Sequence, residues 1–240
     1  MITYLLDETG ISPRVQSVLA QADALIERGR DVRIVTTADM AVTWRPSRAR
    51  WEFVDDFASV TSDILLDGSF PWSEFLIVDE EMYRSGMPRE HEPPRVLLAG
   101  ASQNDDGIED GYGAAAHARW FHQKFDLIRV SPWVPSREEP LDSVQEFHFG
   151  LTSAEMTRLM HSCDLLIAAR DHTLPAAEAM AAGIPVVQSA NRNAVELGER
   201  LIEILGDGEL RERLREEGRK SAEQWRAACV AERLEAFFRQ

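Results

Sequence analysis

The stretch Ser162–Ser189, SCDLLIAARDHTLPAAEAMAAGIPVVQS, decides the fold class of this protein. Its apolar run at 164–169 is typical of a buried strand, and the Ala-rich run that follows predicts a helix beginning near Leu174. Gly183 ends that helix, and a second strand of the buried type follows at 185–189. A strand, a helix and a strand in this order form a βαβ unit, so the sequence predicts a parallel sheet.

The predicted start of this helix is also a candidate binding site. At the helix N-terminus, Thr173–Pro175, the backbone N–H groups of Thr173 and Leu174 have no partner within the helix, and the helix dipole adds partial positive charge there, which suits a diphosphate. Glu178 lies one turn further along, where its carboxylate can accept hydrogen bonds from the two hydroxyls of a ribose. The structural alternative is that Glu178 is only a favourable charge in the first turn, the commoner case for an isolated helix.

The same alternation of strands and helices begins at the first residues of the chain. Ile2–Leu6 predicts a strand, Ser12 and Pro13 predict the start of a helix that ends at Gly29, and Val32–Val35 predicts the next strand. Three more strands are predicted in this first block, at 51–57, 63–66 and 75–78. The block therefore predicts a parallel α/β unit of its own.

A polar, Pro-rich run at 80–94 predicts a linker, after which strands and helices alternate again. Strands are predicted at 95–99, 127–130, 144–149, 164–169 and 185–189, and helices at 110–123, 152–161, 175–182, 193–205, 207–217 and 219–238. We therefore expect an α/β protein with two Rossmann-like lobes whose parallel sheets face a cleft. Ligands of such folds bind at the carboxyl ends of the strands. The predicted divisions are a reduced first lobe at 1–80, the linker at 81–94, a second lobe at 95–220 and a C-terminal helix at 221–240.

Charge and composition exclude several classes of function. The 240 residues include 41 acidic and 26 basic side chains, which gives a formal net charge of −15. Such a balance argues against binding of nucleic acid or of anionic lipid, since both need clustered Lys and Arg. No apolar run approaches the ~20 residues of a membrane-spanning helix, and the first residues lack the basic start of a signal peptide. Two cysteines predict neither a disulfide framework nor a metal cluster, so we expect a cytoplasmic protein.

Leu174–Val187, LPAAEAMAAGIPVV, resembles a C-terminal motif of the family-4 GT-B glycosyltransferases, which are retaining enzymes that use nucleotide sugars. In that family the motif reads Ala-Leu-Glu-Ala-Met-Ala-x-Gly-x-Pro-Val-Val after a Gly-Phe-Gly-Leu-Pro-type loop. Weaker similarity to the family covers Asp31–Thr36, Val78-Asp79, Thr152–Leu159 with Cys163-Asp164, and Ile204–Arg219. The segments 101–111 and 144–150 resemble rhamnosyltransferase-like members. The resemblance is strongest over 150–220.

The acidic pair of the family is altered in this sequence. The family has two Glu residues with seven residues between them, and counting back from Glu178 places Arg170 at the first Glu position. Asp171 lies one residue too close, with a side chain that is a methylene shorter. His172-Thr173 also replaces the family's glycines, which let the backbone approach the sugar phosphate.

The family's first C-lobe loop is altered as well. Gly100 and Gly107 remain at its ends, but Ala101 and Asp106 replace the Arg and Lys that neutralise the diphosphate in the family. A unit-charge contact at ~4 Å is worth about 4 kcal/mol at an effective dielectric of about 20, so this loss is heavy. Compensation would come from three basic residues in neighbouring loops: Arg170, His172 and Arg192.

The resemblance implies transfer of a sugar from a nucleotide-diphospho-sugar, held by the second lobe, to a carbohydrate or small-molecule acceptor held by the first. It also implies retention of configuration, with no metal and no further cofactor. Asp171 and Arg170 are then the candidate catalytic residues, and the candidate donor-binding residues are Glu178, Thr173, Leu174, Gly100, Gly107 and Arg192. Glu178 would hold the ribose, and the two glycines would keep the loop open.

Two questions stay open: whether the protein is catalytic, and how its acceptor site is completed. The altered motifs also fit a degenerate, non-catalytic relative that acts in binding or assembly. The chain lacks the family's Gly-Gly-x-x-Glu loop and the strand after it, so part of the acceptor site is absent or is supplied by a partner chain in a homo- or hetero-oligomer.

Four further residues have structural interpretations that we favour. Asp7 and Glu8 form a polar turn more often than an acceptor site. Cys163 precedes a buried strand, which favours core packing over nucleophilic catalysis. Trp72 could stack on a sugar face, but hydrophobic packing is the safer interpretation.

Overall fold

The computed structural model describes residues 1–79, 82–83, 91–100, 106–132, 134, 139–168, 173–188 and 193–239. Of Ser73, Asp106, Gly107 and Thr173 it describes only the backbone. Two compact units make up the chain: Met1–Ile77 with Gln224–Gln240, called unit 1, and Val78–Glu223, called unit 2. Each unit is built on one parallel sheet, so the predicted α/β class with two parallel sheets is confirmed.

The strands are β1 (Ile2–Leu6), β2 (Val32–Thr36), β3 (Arg50–Phe53), β4 (Ile64–Leu66), β5 (Arg95–Ala99), β6 (Asp126–Ser131), β7 (Glu146–Phe149), β8 (Leu165–Ala168) and β9 (Val186–Gln188). The helices are α1 (Pro13–Glu27), α2 (Asp106–Trp120), α3 (Ser153–Met160), α4 (Thr173–Ala182), α5 (Ala194–Gly206), α6 (Gly208–Ala222) and α7 (Ala227–Phe237).

Unit 1 has a four-stranded sheet in the order β3-β2-β1-β4. Helix α1 starts where the sequence predicts, because the Ser12 hydroxyl accepts a hydrogen bond from the Val15 N–H at 3.2 Å and Pro13 is the first helical residue. Gly29 adopts a φ of +78° just after the helix, a conformation that favours glycine and turns the chain into β2.

The strand predicted at 75–78 is not present, and that prediction is wrong. Trp72–Phe75 instead forms a turn of 3-10 helix, and the buried Gln21 side chain donates a hydrogen bond of 2.8 Å to the Phe75 carbonyl. A side-chain amide thus satisfies a carbonyl that a neighbouring strand would otherwise satisfy. The apolar pattern arises because Phe75 is buried at the end of this turn, and Leu76 and Val78 are buried in the irregular backbone that follows it.

Unit 2 has a five-stranded sheet in the order β7-β6-β5-β8-β9. Helices α2 and α5 pack together against one face of this sheet. Their close approach depends on Gly198 of α5, because a Cβ there would lie 2.6 Å from a ring carbon of His117. On α4, Gly183 has a φ of +74° and ends the helix as predicted.

Two predicted helix boundaries in unit 2 need correction. Helix α2 begins at Asp106 rather than 110, so Gly107 lies in its first turn and not in the preceding loop. The break predicted near 218 is wrong, because α6 continues to Ala222 and α7 begins only at Ala227. Gly218 sits where α6 packs on α4, with an added Cβ at an ordinary 3.5 Å from Met180, so this glycine does not interrupt the helix.

Helix α7 returns to unit 1 and packs on α1. Arg28 and Arg30, just after α1, donate hydrogen bonds to the Glu235 carboxylate at 3.0 and 2.7 Å. These donors lower the pKa of Glu235 to about 2. The C-terminal segment is therefore tied to unit 1 by ion pairs as well as by Val230 and Leu234, which lie in its core.

Candidate functional site

The strand order of unit 2 reverses between β5 and β8, because β6 and β7 extend the sheet on one side of β5, and β8 and β9 extend it on the other. Ala99 of β5 pairs with Ala168 of β8, which pairs with Gln188 of β9, so these three strands end side by side. In parallel sheets, ligands usually bind outside the strand ends at such a reversal. Gly100, which follows β5, lies directly at this edge.

Helix α4 starts at Thr173, shortly after β8 ends at this edge. All its side chains from Leu174 to Ala182 are buried except the partly buried Met180. Its small Ala residues allow α3 and α6 to pack closely on it. The helix is therefore held inside unit 2, and its first turn lies next to the strand reversal.

Glu178 is a carboxylate in the middle of this buried helix, and only 6% of its surface is exposed. A buried carboxylate needs hydrogen-bond donors, because its desolvation is costly. One neighbour is Tyr83, which is 2% exposed. Burial raises the pKa of the Tyr83 hydroxyl well above its usual range, and the nearby Glu178 charge raises it further.

Tyr83 lies in the segment that the sequence interpreted as a linker. His161, just after α3, approaches the Tyr83 carbonyl with its ring nitrogen Nε2 at 2.7 Å. The Tyr83 N–H donates to the Asp79 carbonyl at 3.2 Å, and the Met82 N–H donates to the Asp79 carboxylate at 3.1 Å. This short turn therefore fixes Tyr83 against α3 and α4.

A buried cation lies on the neighbouring strand β6. The Arg129 side chain is fully buried and donates from Nε to Glu139 at 2.6 Å, and the Tyr112 hydroxyl donates to the same Glu139 oxygen at 2.8 Å. Within the described part of the chain, Arg129 Nη2 and Glu139 Oε2 have no hydrogen-bond partner. Because Glu139 neutralises it, Arg129 supplies no net charge for an anionic ligand.

The structure brings some predicted residues together and leaves others outside its description. Gly100 and the first turn of α4 lie near the ends of β5 and β8, and Glu178 lies further along α4, beside Tyr83. Leu174 is buried, and Gly107 lies in the first turn of α2. The candidates that lie outside the described residues are Arg170, Asp171 and Arg192, together with Ala101 and His172.

Tyr83 and the Arg129–Glu139 pair are not among the site residues predicted from the sequence. Tyr83 is an aromatic residue within a polar run, four residues after Asp79, a spacing at which the Tyr83 N–H can bond back to the Asp79 carbonyl. That spacing is a weak signal for a docked turn. Arg129 interrupts an otherwise apolar strand, which is the stronger signal, but its partner Glu139 lies ten residues away in a loop.

The other candidates have structural partners. Asp7 pairs with Arg14 at 2.9 Å, and the Ser12 hydroxyl donates to Glu8 at 2.8 Å, so both acids stabilise the start of α1. Trp72 packs on the rings of Tyr4 and Phe70 in the core of unit 1. Burial raises the pKa of the Cys163 thiol to about 11, as expected for a packed rather than a nucleophilic cysteine.

No group of three or more His, Cys, Asp or Glu residues in the described ranges could hold a metal ion. No helix in the same ranges is long and apolar enough to span a bilayer. The expectation that transfer needs no metal stays a prediction.

No protein-family model matches the sequence, and no curated protein matches it. Several solved structures, in contrast, resemble the chain over almost its whole length. WaaG, a glycosyltransferase involved in lipopolysaccharide biosynthesis, has a TM-score of 0.68 and 14% identity over 98% of both chains. A glycosyltransferase from Rickettsia africae ESF-5 has a TM-score of 0.64 and 12% identity over 99% of this chain and 97% of that one.

An alpha-glucosyltransferase, solved with UDP and a 13-mer DNA containing an HMU base, has a TM-score of 0.63 and 10% identity over 100% of both chains. At identities this low, the structural similarity shows a shared fold and does not show a shared substrate or activity. This protein therefore has the α/β fold with two parallel sheets that is found in GT-B glycosyltransferases.

Proposed function

We propose that the protein is a glycosyltransferase that transfers a sugar from a nucleotide-diphospho-sugar, bound by unit 2, to a carbohydrate or small-molecule acceptor. The fold and the Leu174–Val187 motif support this proposal together, since neither is sufficient alone. The resemblance to family 4 adds retention of configuration, without a metal, to the proposal.

The observation that carries the proposal is the coincidence of the motif with the strand reversal. The motif begins in the first turn of α4, next to the adjacent ends of β5 and β8. Free backbone N–H groups in this turn suit the diphosphate. Glu178, one turn further along the same helix, suits the ribose hydroxyls, because a carboxylate can accept two hydrogen bonds from neighbouring donors.

The roles of the remaining candidate residues are proposed from the sequence resemblance. Asp171 would lie near the hydroxyls of the transferred sugar, and Arg170 or Arg192 would neutralise the diphosphate. Since Glu139 already neutralises Arg129, the buried cation of unit 2 does not replace the Arg and Lys of the family. We therefore expect diphosphate binding to depend on Arg170 and Arg192.

Nucleotide titration tests the proposal. UDP, GDP and TDP are titrated into the full chain by calorimetry, and thermal unfolding is followed in parallel. We expect one of them to raise the unfolding midpoint, because a ligand at 100 times its Kd stabilises the native state by about 2.7 kcal/mol. Glu178→Ala should weaken this binding, while Glu199→Ala, at an exposed position on α5, should leave it unchanged. Absence of any response at millimolar nucleotide would overturn the proposal.

A degenerate binding module is the second candidate. The burial of Glu178 favours it, because a carboxylate that is 6% exposed offers little surface to a ligand without a local rearrangement. The changes to Ala101 and Asp106 favour it too. This candidate predicts no response to any of the three nucleotides and no effect of Glu178→Ala.

A further inference from the structure

The Tyr83 hydroxyl is a buried polar group with no role in the proposed reaction so far. It lies in unit 2 where α3 meets α4, close to the Thr157 hydroxyl and the Glu178 carboxylate. Within the described residues, the Tyr83 hydroxyl forms no hydrogen bond that meets the usual limits of distance and angle. Buried hydroxyls are almost always hydrogen-bonded, so this donor calls for a functional explanation.

The position of Tyr83 is fixed by its backbone and not by its hydroxyl. His161 Nε2 lies 2.7 Å from the Tyr83 carbonyl, and the Asp79 carbonyl accepts from the Tyr83 N–H. Phenylalanine would keep both contacts and fill the same space. Selection of tyrosine at this place therefore adds only the hydroxyl group, which faces the region of Glu178.

The direction of proton donation follows from chemistry. A phenol next to a carboxylate in a buried environment stays protonated, because burial and the negative charge both raise its pKa. The hydroxyl is therefore a donor and the carboxylate an acceptor. A carboxylate has about four lone-pair positions, so it can accept from Tyr83 and from further donors at the same time.

We propose that Tyr83 is a positioning residue for Glu178: its hydroxyl donates to one carboxylate oxygen and orients the group toward the ribose hydroxyls of the donor nucleotide. This inference rests on the proposed function and extends it to a residue outside the Leu174–Val187 motif. It makes Tyr83 part of the nucleotide site, although the sequence around this residue is typical of a linker.

The test compares two ligands that differ only in the ribose hydroxyls. UDP and 2′,3′-dideoxyuridine diphosphate are titrated by calorimetry into the wild-type chain and into Tyr83→Phe, with GDP or TDP and its dideoxy analogue if UDP does not bind. We expect Tyr83→Phe to weaken binding of the ribonucleotide about fivefold to tenfold, as for loss of one hydrogen bond to a charged group, and to leave the dideoxy analogue unchanged. In the Glu178→Gln background the effect of Tyr83→Phe should be much smaller.

Tyr112→Phe is the matched control, since it also removes a buried hydroxyl that contacts a carboxylate in unit 2. It should not change the ratio of the two affinities, whatever it does to stability. Equal weakening of both ligands by Tyr83→Phe, or no weakening of either, would overturn the inference and leave the proposed function standing. If the wild-type chain binds none of the nucleotides, the proposed function and this inference both fail. Thermal unfolding of ligand-free Tyr83→Phe is the folding control. A cooperative transition would show that a change in the ratio of the two affinities does not arise from lost structure.

Discussion

The two units share a strand order but bury different polar groups. In both sheets, the first strand lies in the middle and the order reverses beside it, at β1 in unit 1 and at β5 in unit 2. The fully buried polar side chains of unit 1 are neutral, such as Thr3 and Gln21. The buried carboxylate of unit 1, Glu235, pairs with the partly exposed Arg28 and Arg30. Unit 2 instead buries both members of an ion pair, Arg129 and Glu139, and also the carboxylate of Glu178.

Burying charged groups lowers the stability of a fold, and this cost is larger in unit 2 than in unit 1. Desolvating an ion costs several kcal/mol, and a buried ion pair rarely stabilises more than apolar packing of the same volume. The sheet of unit 1 has the same order of its first four strands with neutral groups at its fully buried polar positions, so this strand order does not require a fully buried ion pair such as Arg129–Glu139. Of the buried charges in unit 2, Arg129 lies within β6, and Glu178 lies within α4, the helix that carries the proposed nucleotide site.

Breaking the Arg129–Glu139 pair should have the largest effect. Arg129→Met leaves the buried Glu139 carboxylate without its cation, so we expect a loss of about 3–5 kcal/mol in unfolding free energy by chemical denaturation. Arg213→Met is the control, because Arg213 and Glu217 are both exposed and lie 4.0 Å apart. That exposed pair should contribute no more than about 1 kcal/mol. A loss as small for Arg129→Met as for the control would remove the contrast between the units.

Removing a neutral buried group from unit 1 should have an intermediate effect. Gln21 is fully buried, and its amide donates to the Phe75 carbonyl at 2.8 Å. In Gln21→Leu that carbonyl loses its partner, so we expect unfolding free energy to fall by about 1–3 kcal/mol. The same denaturation experiment measures it. A loss equal to that of Arg129→Met would mean that charge is not what distinguishes the two units.

The ion pairs at the edge of unit 1 should have the smallest effect, and it should depend on pH. The pKa of Glu235 is lowered to about 2 from its usual 4.5, so its pairing with Arg28 and Arg30 stabilises the native state above pH 4.5. That contribution is lost as pH falls toward 2. Glu235→Gln should therefore lower the melting temperature at pH 7, with a difference from wild type that shrinks between pH 5 and pH 2.

Glu217→Gln is the control for this pH series, because its partner Arg213 is exposed and distant. It should change the melting temperature little at any pH. A difference between Glu235→Gln and wild type that stays constant down to pH 2 would contradict the assignment.

Local signals predicted the regular elements and failed where a partner distant in sequence decides. Ser12 and Pro13 predicted the start of α1, and Gly183 predicted the end of α4, because caps and turns act within a few residues. The run at 75–78 has the apolar pattern of a strand, but Gln21 satisfies the Phe75 carbonyl in place of a strand neighbour. Gly218 looked like a helix break, but α6 continues through it against α4.

The candidate site divides in the same way. The start of α4 and Glu178 stand out in the sequence because the motif around them is continuous and local. Tyr83 could not be found that way, since its relation to Glu178 arises only when Tyr83 packs beside α3 and α4 in the folded chain.

By itself, the sequence determined two parallel α/β units, the order of most of their elements and the helix that carries Glu178, because hydrophobic period, caps and glycines are local properties of a chain. Only the tertiary structure decided which strand ends lie side by side, which charges are buried and which hydroxyl faces Glu178. Those contacts join residues far apart in the chain, and their energies depend on burial, which no short stretch of sequence specifies.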